Sequence, residues 1–439
     1  MTFSKINQGE ILINLGFEHL NKMQKSTIKA SEKNANLLLL APTGSGKTLA
    51  YLLSTLSKIG NKPGVQALIL APTRELVLQI ESVLKQMKLP FKVNASYGGH
   101  EFSIERKNFS TPPAILVGTP GRIQDHLQRR TFNPKDISQL VFDEFDKSLE
   151  YGFSSQMEYI VNQMHNVKSQ ILVSASQSIK IPEYINFHEP HTINFSEEIE
   201  GSLSLRQIIV PKDEKPEGLL DILGRLNHGE NAIVFFNHRD ACERISEHLD
   251  FLGLAYSMFH GGLKQDQREL QLTKFRNGST QVLIATDIAA RGIDIPELDY
   301  VIHYQIPLQE NSFFHRNGRT ARMKASGTSI LIRTTLDKLP DYLLEEPKLF
   351  EIKKDKQRIQ KPDWITFYIA KGKKDKINKI DLVGFFLQHD FMSKDDLGLI
   401  EVKDYSAYIA VKRDKSRMLL DASRNLKIKN KATKIALAK

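Results

Sequence analysis

The chain reads as an α/β protein of two tandem parallel-sheet domains, followed by a small α+β domain of βαββαβ order. Three observations predict this. Short apolar runs recur along the chain, each followed by a turn and a helix-length segment; the series occurs twice; and the composition changes after residue 350. At 439 residues the chain is also too long for a single ordinary core.

The first series is "LLLLAP" from Leu37, "ALILAP" from Ala67, "AILVGTP" from Ala114, "LVFDEF" from Leu140 and "ILVSAS" from Ile171. Runs this apolar suit a parallel sheet covered on both faces. The second is "AIVFFN" from Ala232, "VLIATD" from Val282, "YVIHYQ" from Tyr300 and "TSILIR" from Thr328. The polar stretch "SEEIEGSLS", Ser196 to Ser204, is the best boundary between them, giving domains over 1–199 and 200–350. The two halves could be duplicates in fold. A charged connector, "EIKKDKQRIQKP", spans 351–362, and 363–439 follow a different pattern. There a strand "WITFYIA" from Trp364 precedes an amphipathic helix around Ile377 to Gln388. Strands "LGLIEV" and "YSAYIAV", a helix near Asp414 to Ser423 and a last strand near Ala432 to Leu437 complete a split-βαβ sandwich.

Charge divides the chain at the same place. Residues 1–350 carry 39 basic and 39 acidic side chains, whereas 351–439 carry 22 and 12, so the tail holds the whole excess of +10. A neutral body with a basic tail points to an anionic partner, of which nucleic acid is the usual one, or to a solvated lysine-rich face. Cys242 is the only cysteine, which rules out an intrachain disulfide and suits a reducing compartment. The first residues lack a signal-peptide pattern, and no apolar run approaches the ~18 residues of a membrane span. The expectation is a cytoplasmic protein.

"APTGSGKT", Ala41 to Thr48, lies between a strand and a helix. Gly44 and Gly46 let backbone N–H groups approach phosphate oxygens, with Thr43 and Ser45 in the same loop, and the helix N-terminus adds partial positive charge. Lys47 can then reach the β and γ phosphates, and the Thr48 hydroxyl can coordinate Mg²⁺. The bland alternative is a plain tight turn. Asp143 and Glu144 close an apolar strand, where a second carboxylate pair belongs in such an enzyme. Asp143 would hold magnesium, and Glu144 would orient and deprotonate water; otherwise the pair merely caps a helix. "HRNGRTAR", His315 to Arg322, supplies three arginines. If the segment begins a helix, Arg319 and Arg322 share a face and could serve as arginine fingers.

With these segments assembled, the sequence resembles the DEAD-box RNA helicases. "APTGSGKT", "APTREL", "GG", "TPGR", "DEFD", "SAS", "HGGLKQDQR", "ATDIAARGIDIP" and "HRNGRTAR" stand in that family's order and approximate spacing. The likeness extends into the tail, where "KGKKDKINKIDLVGFFLQHDF" and "YIAVKRD" are similar to the RNA-binding domain of the bacterial DbpA group. It implies two RecA-like domains of the P-loop NTPase class, helicase superfamily 2, closing on ATP and RNA, plus an RRM-like third domain. Gln24 would then read the adenine edge, with Phe17 stacked nearby, and Asp294 would approach the ribose or the attacking water. Asp146, Ser174, Ser176 and His315 would link the ATP site to the domain interface, and Arg319 and Arg322 would reach the γ-phosphate. RNA contacts would fall on Arg74, Gly98, Gly99, Thr119, Gly121, Arg122, Arg268, Thr286, Arg291 and Gly292. Hydroxyls, exposed glycines and guanidinium groups suit a phosphodiester backbone rather than base edges.

Three segments depart from the family. Phe145 stands where D-E-A-D has alanine, Ser176 where S-A-T has threonine, and Leu20 and Lys22 where prolines are usual. The Phe145 ring either packs under the sheet edge or faces the cleft and obstructs coupling. In the tail "DYSAYIAV" retains only Tyr408 of the aromatics of an RNA-recognition strand. Better contacts are Lys371, Lys373, Lys374, Lys412 and Arg413, through phosphates and minor-groove shape. The resemblance implies an ATP- and Mg²⁺-dependent helicase, monomeric, that remodels structured ribosomal RNA during large-subunit assembly. The alternatives are an ATP-gated RNA clamp with little unwinding, and a tail that docks protein instead of RNA.

Overall fold

The computed structural model describes residues 7–42, 44–99, 102–175, 180–195, 203–290, 293, 295–320, 327–351, 361–423, 427–429 and 431–438. The chain forms two compact units, one up to residue 200 and one holding 201–290 and 295–439.

In the first unit seven strands make one parallel sheet, in the order Val93–Ser96, Ile115–Gly118, Ala67–Leu70, Gln139–Phe142, Ser169–Ser174, Asn36–Leu40 and His191–Asn194. Leu37 and Leu39 enter the core on one face while Leu38 and Leu40 enter the core on the other. That is why the run is apolar at every position instead of alternating. Register sets the chemistry: Leu40 lies opposite Ser174 and Leu70 opposite Phe142, so Ala41, Asp143 and Ser174 share the C-terminal edge of the sheet. In parallel sheets that edge is where ligands bind.

The second unit repeats the arrangement. Its strands run Tyr256–Phe259, Val282–Thr286, Ala232–Phe236, Tyr300–His303, Gly327–Thr334, Leu203–Val210 and Lys348–Leu349, all parallel. Taken in chain order within each sheet, the two topologies are the same, so the halves are duplicates in fold. The sequence reading missed Val93–Ser96, His191–Asn194, Leu203–Val210, Tyr256–Phe259 and Lys348–Leu349. Four of these are sheet-edge strands, only partly covered, and so lack an unbroken apolar run. Leu203 and Ser204, read as boundary, begin a strand.

Within the second unit the tail forms a separate antiparallel sheet, ordered Leu397–Val402, Ala407–Lys412, Trp364–Ile369 and Ile435–Leu437. Helices Lys379–Leu387 and Ser416–Ala422 cover one face, packing Leu382, Phe385, Phe386 and Leu419 onto Phe367, Ile369, Ile409 and Val411. The order is βαββαβ, as the sequence predicts, with one correction. The last strand is split: Lys431–Ala432 pairs with Lys427–Ile428 as a hairpin, and only Ile435–Leu437 joins the main sheet. Among the described residues no helix is long and apolar enough to cross a membrane.

Candidate ATP site and RNA-contact residues

The phosphate loop is built on two left-handed glycines, Gly44 at φ 85° and Gly46 at φ 86°. A Cβ on Gly46 would stand 2.5 Å from Nε2 of Gln24, so close approach as well as backbone angle demands glycine there. Gln24 Nε2 donates to the Gly46 carbonyl at 3.3 Å, and Asn21 Nδ2 to the Ser45 carbonyl at 3.0 Å. Asn21 and Gln24 also cap helix Lys22–Lys33 reciprocally, so this helix end braces the loop. Gln24, expected to read adenine, has its amide engaged here, and Phe17 is half exposed. The buried Ser45 hydroxyl has no partner among the described residues, a donor suited to a phosphate oxygen. Thr43 lies outside the described residues.

Lys47 opens helix Lys47–Leu56 and turns its ammonium to the carbonyls of Ala41, at 2.5 Å, and Pro42, at 3.2 Å. Burial lowers its pKa, against the pull of Asp143, Glu144 and Asp146. Asp143 is 3% exposed at the end of its strand. Its Oδ1 accepts from the Glu144 N–H at 3.0 Å and its Oδ2 from the Tyr51 hydroxyl at 2.9 Å. Burial raises the Asp143 pKa, and Lys47 and Tyr51 draw it back. Tyr51 is a residue of the candidate site that the sequence reading missed. The signal was present: it follows Lys47 by four positions on one helix, hence on the same face. Burial, then Asp143, push its phenol well above its ordinary pKa, while a side-chain bond to Thr48 acts the other way. Thr48 and Asp143 therefore converge on one phenol. A hydroxyl and a single carboxylate fit Mg²⁺, which is held by one or two protein ligands with phosphates and water completing its shell.

Glu144 takes a left-handed backbone, φ 46°, ψ 52°, between the strand and helix Phe145–Glu150. For a non-glycine residue this costs on the order of 1–3 kcal/mol, and it turns the chain sharply enough to leave both carboxylates at the sheet edge. Phe145 is fully buried. Its ring meets Phe142 edge-on at 5.4 Å within the core cluster that also holds Met157 and Ile160, so it lies under the sheet edge in the core of the first unit. Asp146 and Ser174 are buried at this edge, and Ser176 lies outside the described residues.

Arg74, Gly98, Gly99, Thr119, Gly121 and Arg122 gather beyond the ends of three neighbouring strands, Ala67–Leu70, Ile115–Gly118 and Val93–Ser96. Arg74 lies over the Tyr97 ring at 4.5 Å. Gly98 and Gly121 are exposed, with nothing within 4 Å of a Cβ, so their backbones are open to a ligand. Thr119 precedes helix Pro120–Gln128 and makes no side-chain cap. Arg122 stacks on Phe102 at 5.1 Å and donates from Nε to Oε2 of Glu105 at 3.0 Å. The same oxygen meets His126 Nε2 at 2.5 Å. Burial alone would raise the Glu105 pKa, but bonds from His126 and Arg122 hold it below its usual value. Glu105 and His126 were not legible as functional residues, because they meet only in space.

In the second unit Thr286 ends its strand, Arg268 donates to the Leu263 carbonyl from helix Gln265–Arg276, and His315 and Arg319 are buried. The arginine segment corrects an expectation. His315 and Arg316 end helix Glu310–Asn317, Gly318 closes it, and Arg319 lies past its end, so Arg319 does not sit on a helix that starts here. Arg316 has no role in the sequence reading. Its buried guanidinium donates to Asp287 Oδ1 at 2.5 Å, to the Gln305 carbonyl at 2.8 Å and to Asn237 Oδ1 at 2.7 Å, tying three strand ends together. Arg291, Gly292, Asp294 and Arg322 lie outside the described residues.

In the tail Lys373 and Lys374 are exposed and Lys371 pairs with Asp375 at 3.2 Å. Lys412 lies over the Trp364 ring at 4.6 Å and pairs with Asp363 at 3.3 Å. Arg413 is a correction: it donates to the carbonyls of Pro362, at 2.6 Å, and Trp364, at 3.0 Å. Its guanidinium fastens the start of the domain instead of being displayed.

Residues 21–184 match the DEAD/DEAH box helicase family, 214–324 the helicase conserved C-terminal domain, and 366–437 the DbpA RNA binding domain. The ATP-dependent RNA helicase DbpA of Bacillus subtilis is 31% identical over 96% of this chain and 95% of its own length. Mss116p, solved bound to ssRNA and AMP-PNP, is 25% identical, with a TM-score of 0.66 over 75% of this chain and 73% of that one. Dbp5 of S. cerevisiae, solved with RNA and ADP BeF3, is 24% identical with a TM-score of 0.65 over 75% of this chain and 88% of that one, and shows the fold alone. With tandem RecA-like sheets, a phosphate loop facing an Asp-Glu pair, and these likenesses, the chain belongs to the DEAD-box ATP-dependent RNA helicases, RNA-dependent ATPases that here carry a DbpA-type RNA-binding domain.

Proposed function

We propose that this helicase remodels structured ribosomal RNA during large-subunit assembly, as a cytoplasmic monomer whose tail supplies the RNA address. The observation that carries the reading is the alignment with a DbpA relative that runs through the tail as well as the core. The tail alone holds the chain's net positive charge, as an RNA-directed module requires. Crosslinking RNA to the protein in cells tests it: one dominant ribosomal segment is expected, and crosslinks spread over messenger RNA would overturn it.

In the proposed chemistry Lys47, Ser45 and the glycine backbone cradle the phosphates of ATP, and Asp143 and Thr48 would hold Mg²⁺, which when bound would supply positive charge for the phosphoryl oxygens. Glu144 accepts a proton from the attacking water, and Arg319 and Arg322 provide positive charge to the γ-phosphate. Binding of RNA by Arg74, Gly98, Gly99, Thr119, Gly121, Arg122, Arg268, Thr286, Arg291 and Gly292 runs along the backbone and is sequence-independent. Since Phe145 is buried in the core, nothing at that position favours a clamp without unwinding. Duplex displacement measured beside ATPase activity separates the two, with displacement expected.

A further inference from the structure

The tail's sheet meets helix Gln265–Arg276 and the turn after it. Glu401 accepts from Thr273 at 3.0 Å and from Arg276 at 2.7 Å, and Thr366, 1% exposed, bonds Asn277 at 2.9 Å. A Cβ on Gly278 would stand 3.2 Å from Trp364. The seam does not close along its whole length. Thr366 also lines a cavity of about 370 Å³, walled by Tyr256, Met258, Gln271 and Lys274 of the second RecA-like domain and by Ala438 of the tail. That volume lies within the range of small-molecule sites.

Its walls offer hydrogen-bond donors. Strand Tyr256–Phe259 is an edge of its sheet, and the Met258 N–H donates to Gln271 Oε1 at 3.3 Å. The amide is thereby held by its carbonyl end, and among the described residues its Nε2 protons have no acceptor. Thr366 donates to the Ser279 hydroxyl at 2.8 Å, so Ser279 keeps its own proton to give. The turn after the helix folds back, the N–H groups of Ser279 and Thr280 bonding the Lys274 carbonyl at 2.9 and 3.3 Å, so serine and lysine belong to one wall.

Lys274 brings the charge. It is partly buried and burial lowers its pKa with no neighbouring charge opposing the shift, whereas Asp143 opposes it at Lys47 and Asp337 at Lys215. Among the described residues no carboxylate pairs with it. Asp250, the acidic residue of the lining, bonds the Tyr256 phenol, which burial pushes up to about 12. A partly desolvated ammonium without a counter-ion is unfavourable, and an anion taken from solution relieves it.

We propose that this cavity binds a small phosphate monoester, its oxygens held by Lys274, Gln271 and Ser279 and its organic part lying against Leu254 and Met258, so that the ligand bridges the second RecA-like domain and the tail. An ammonium, an amide and a hydroxyl supply a donor for each of the three terminal oxygens, and the bond to the ammonium is the charge-assisted one.

The test uses the full-length protein with saturating ADP and Mg²⁺, so that the nucleotide site is filled, and phenyl phosphate as the probe, its ring protons followed by saturation-transfer NMR. Phenyl phosphate should bind with a Kd of about 1 mM or lower, and phenol, which lacks the oxyanion, at least about tenfold more weakly. Lys274→Met should weaken phenyl phosphate by about tenfold or more, and Ala255→Phe, at an exposed position of the lining, should block it. Thermal unfolding without the probe serves as the folding control, and both variants should keep their affinity for an RNA hairpin within about twofold of the parent. No transfer in the parent up to about 10 mM probe overturns the site, as does phenol binding as well as phenyl phosphate, or a signal that survives both substitutions. A Lys274→Met variant that loses RNA affinity while retaining the probe overturns it as well, and makes Lys274 an RNA contact.

Discussion

The phenol of Tyr51 donates to Oδ2 of Asp143 at 2.9 Å, both side chains being buried. The bond fixes the orientation of the carboxylate proposed to hold Mg²⁺ and favours its ionised form. Tyr51→Phe removes the donor and leaves a buried acceptor short of a partner, at a cost of about 1–3 kcal/mol. It should lower the unfolding temperature and shift the acid limb of the ATPase pH profile upward. An unshifted limb would show that Tyr51 does not tune Asp143.

Burial raises the Asp143 carboxyl above its ordinary 3.8. Such a group contributes stability that is present below the unfolded pKa and is lost as pH rises through the folded one. Ionised Asp143 is therefore a burden at pH 7. Asp143→Asn should abolish ATPase activity yet unfold at a higher temperature than the parent at pH 7. That advantage should shrink toward zero as the pH falls below the ordinary 3.8, where the carboxyl is neutral in the folded and the unfolded chain alike. Calorimetry across this range checks the sign.

Phe145 fills core space against Phe142, so truncation leaves a cavity. Phe145→Ala should cost about 3–5 kcal/mol of stability while RNA-stimulated ATPase turnover of the folded fraction stays within twofold of the parent. Urea unfolding and steady-state assays at low temperature read the two effects apart. A large gain in turnover would mean that the ring does restrain coupling.

Glu105 anchors Arg122 from beneath the edge proposed to contact RNA. Glu105→Ala should raise the RNA concentration for half-maximal ATPase about tenfold with little change in kcat at saturating RNA. Glu105→Gln, which keeps an acceptor, should lose much less. Equal loss in kcat for both variants would point to damage beyond Arg122.

Much of the candidate site was legible because its parts are local. A phosphate loop, an Asp-Glu pair after a strand and a "TPGR" turn each depend on residues a few positions apart, and the buried parallel strands announce themselves as unbroken apolar runs. Edge strands such as Val93–Ser96 escaped because half-covered strands need no such run. Whether the arginine segment begins or ends a helix was not legible, since only the closure at Gly318 tells a helix end from a beginning.

By itself the sequence determined the family, the duplicated α/β order, the chemistry available at each motif and the location of the excess charge. Tertiary structure alone decided which distant groups meet. Tyr51 reaches Asp143 across 92 positions, Glu105 finds Arg122 and His126, and Arg413 turns inward to the backbone at Pro362. Only the fold could place Thr366 against Asn277, closing that part of the tail's sheet face. The reason is physical: covalent spacing governs contacts within a turn or two of chain, whereas burial and hydrogen bonding between elements depend on sheet order and register, which no short segment encodes.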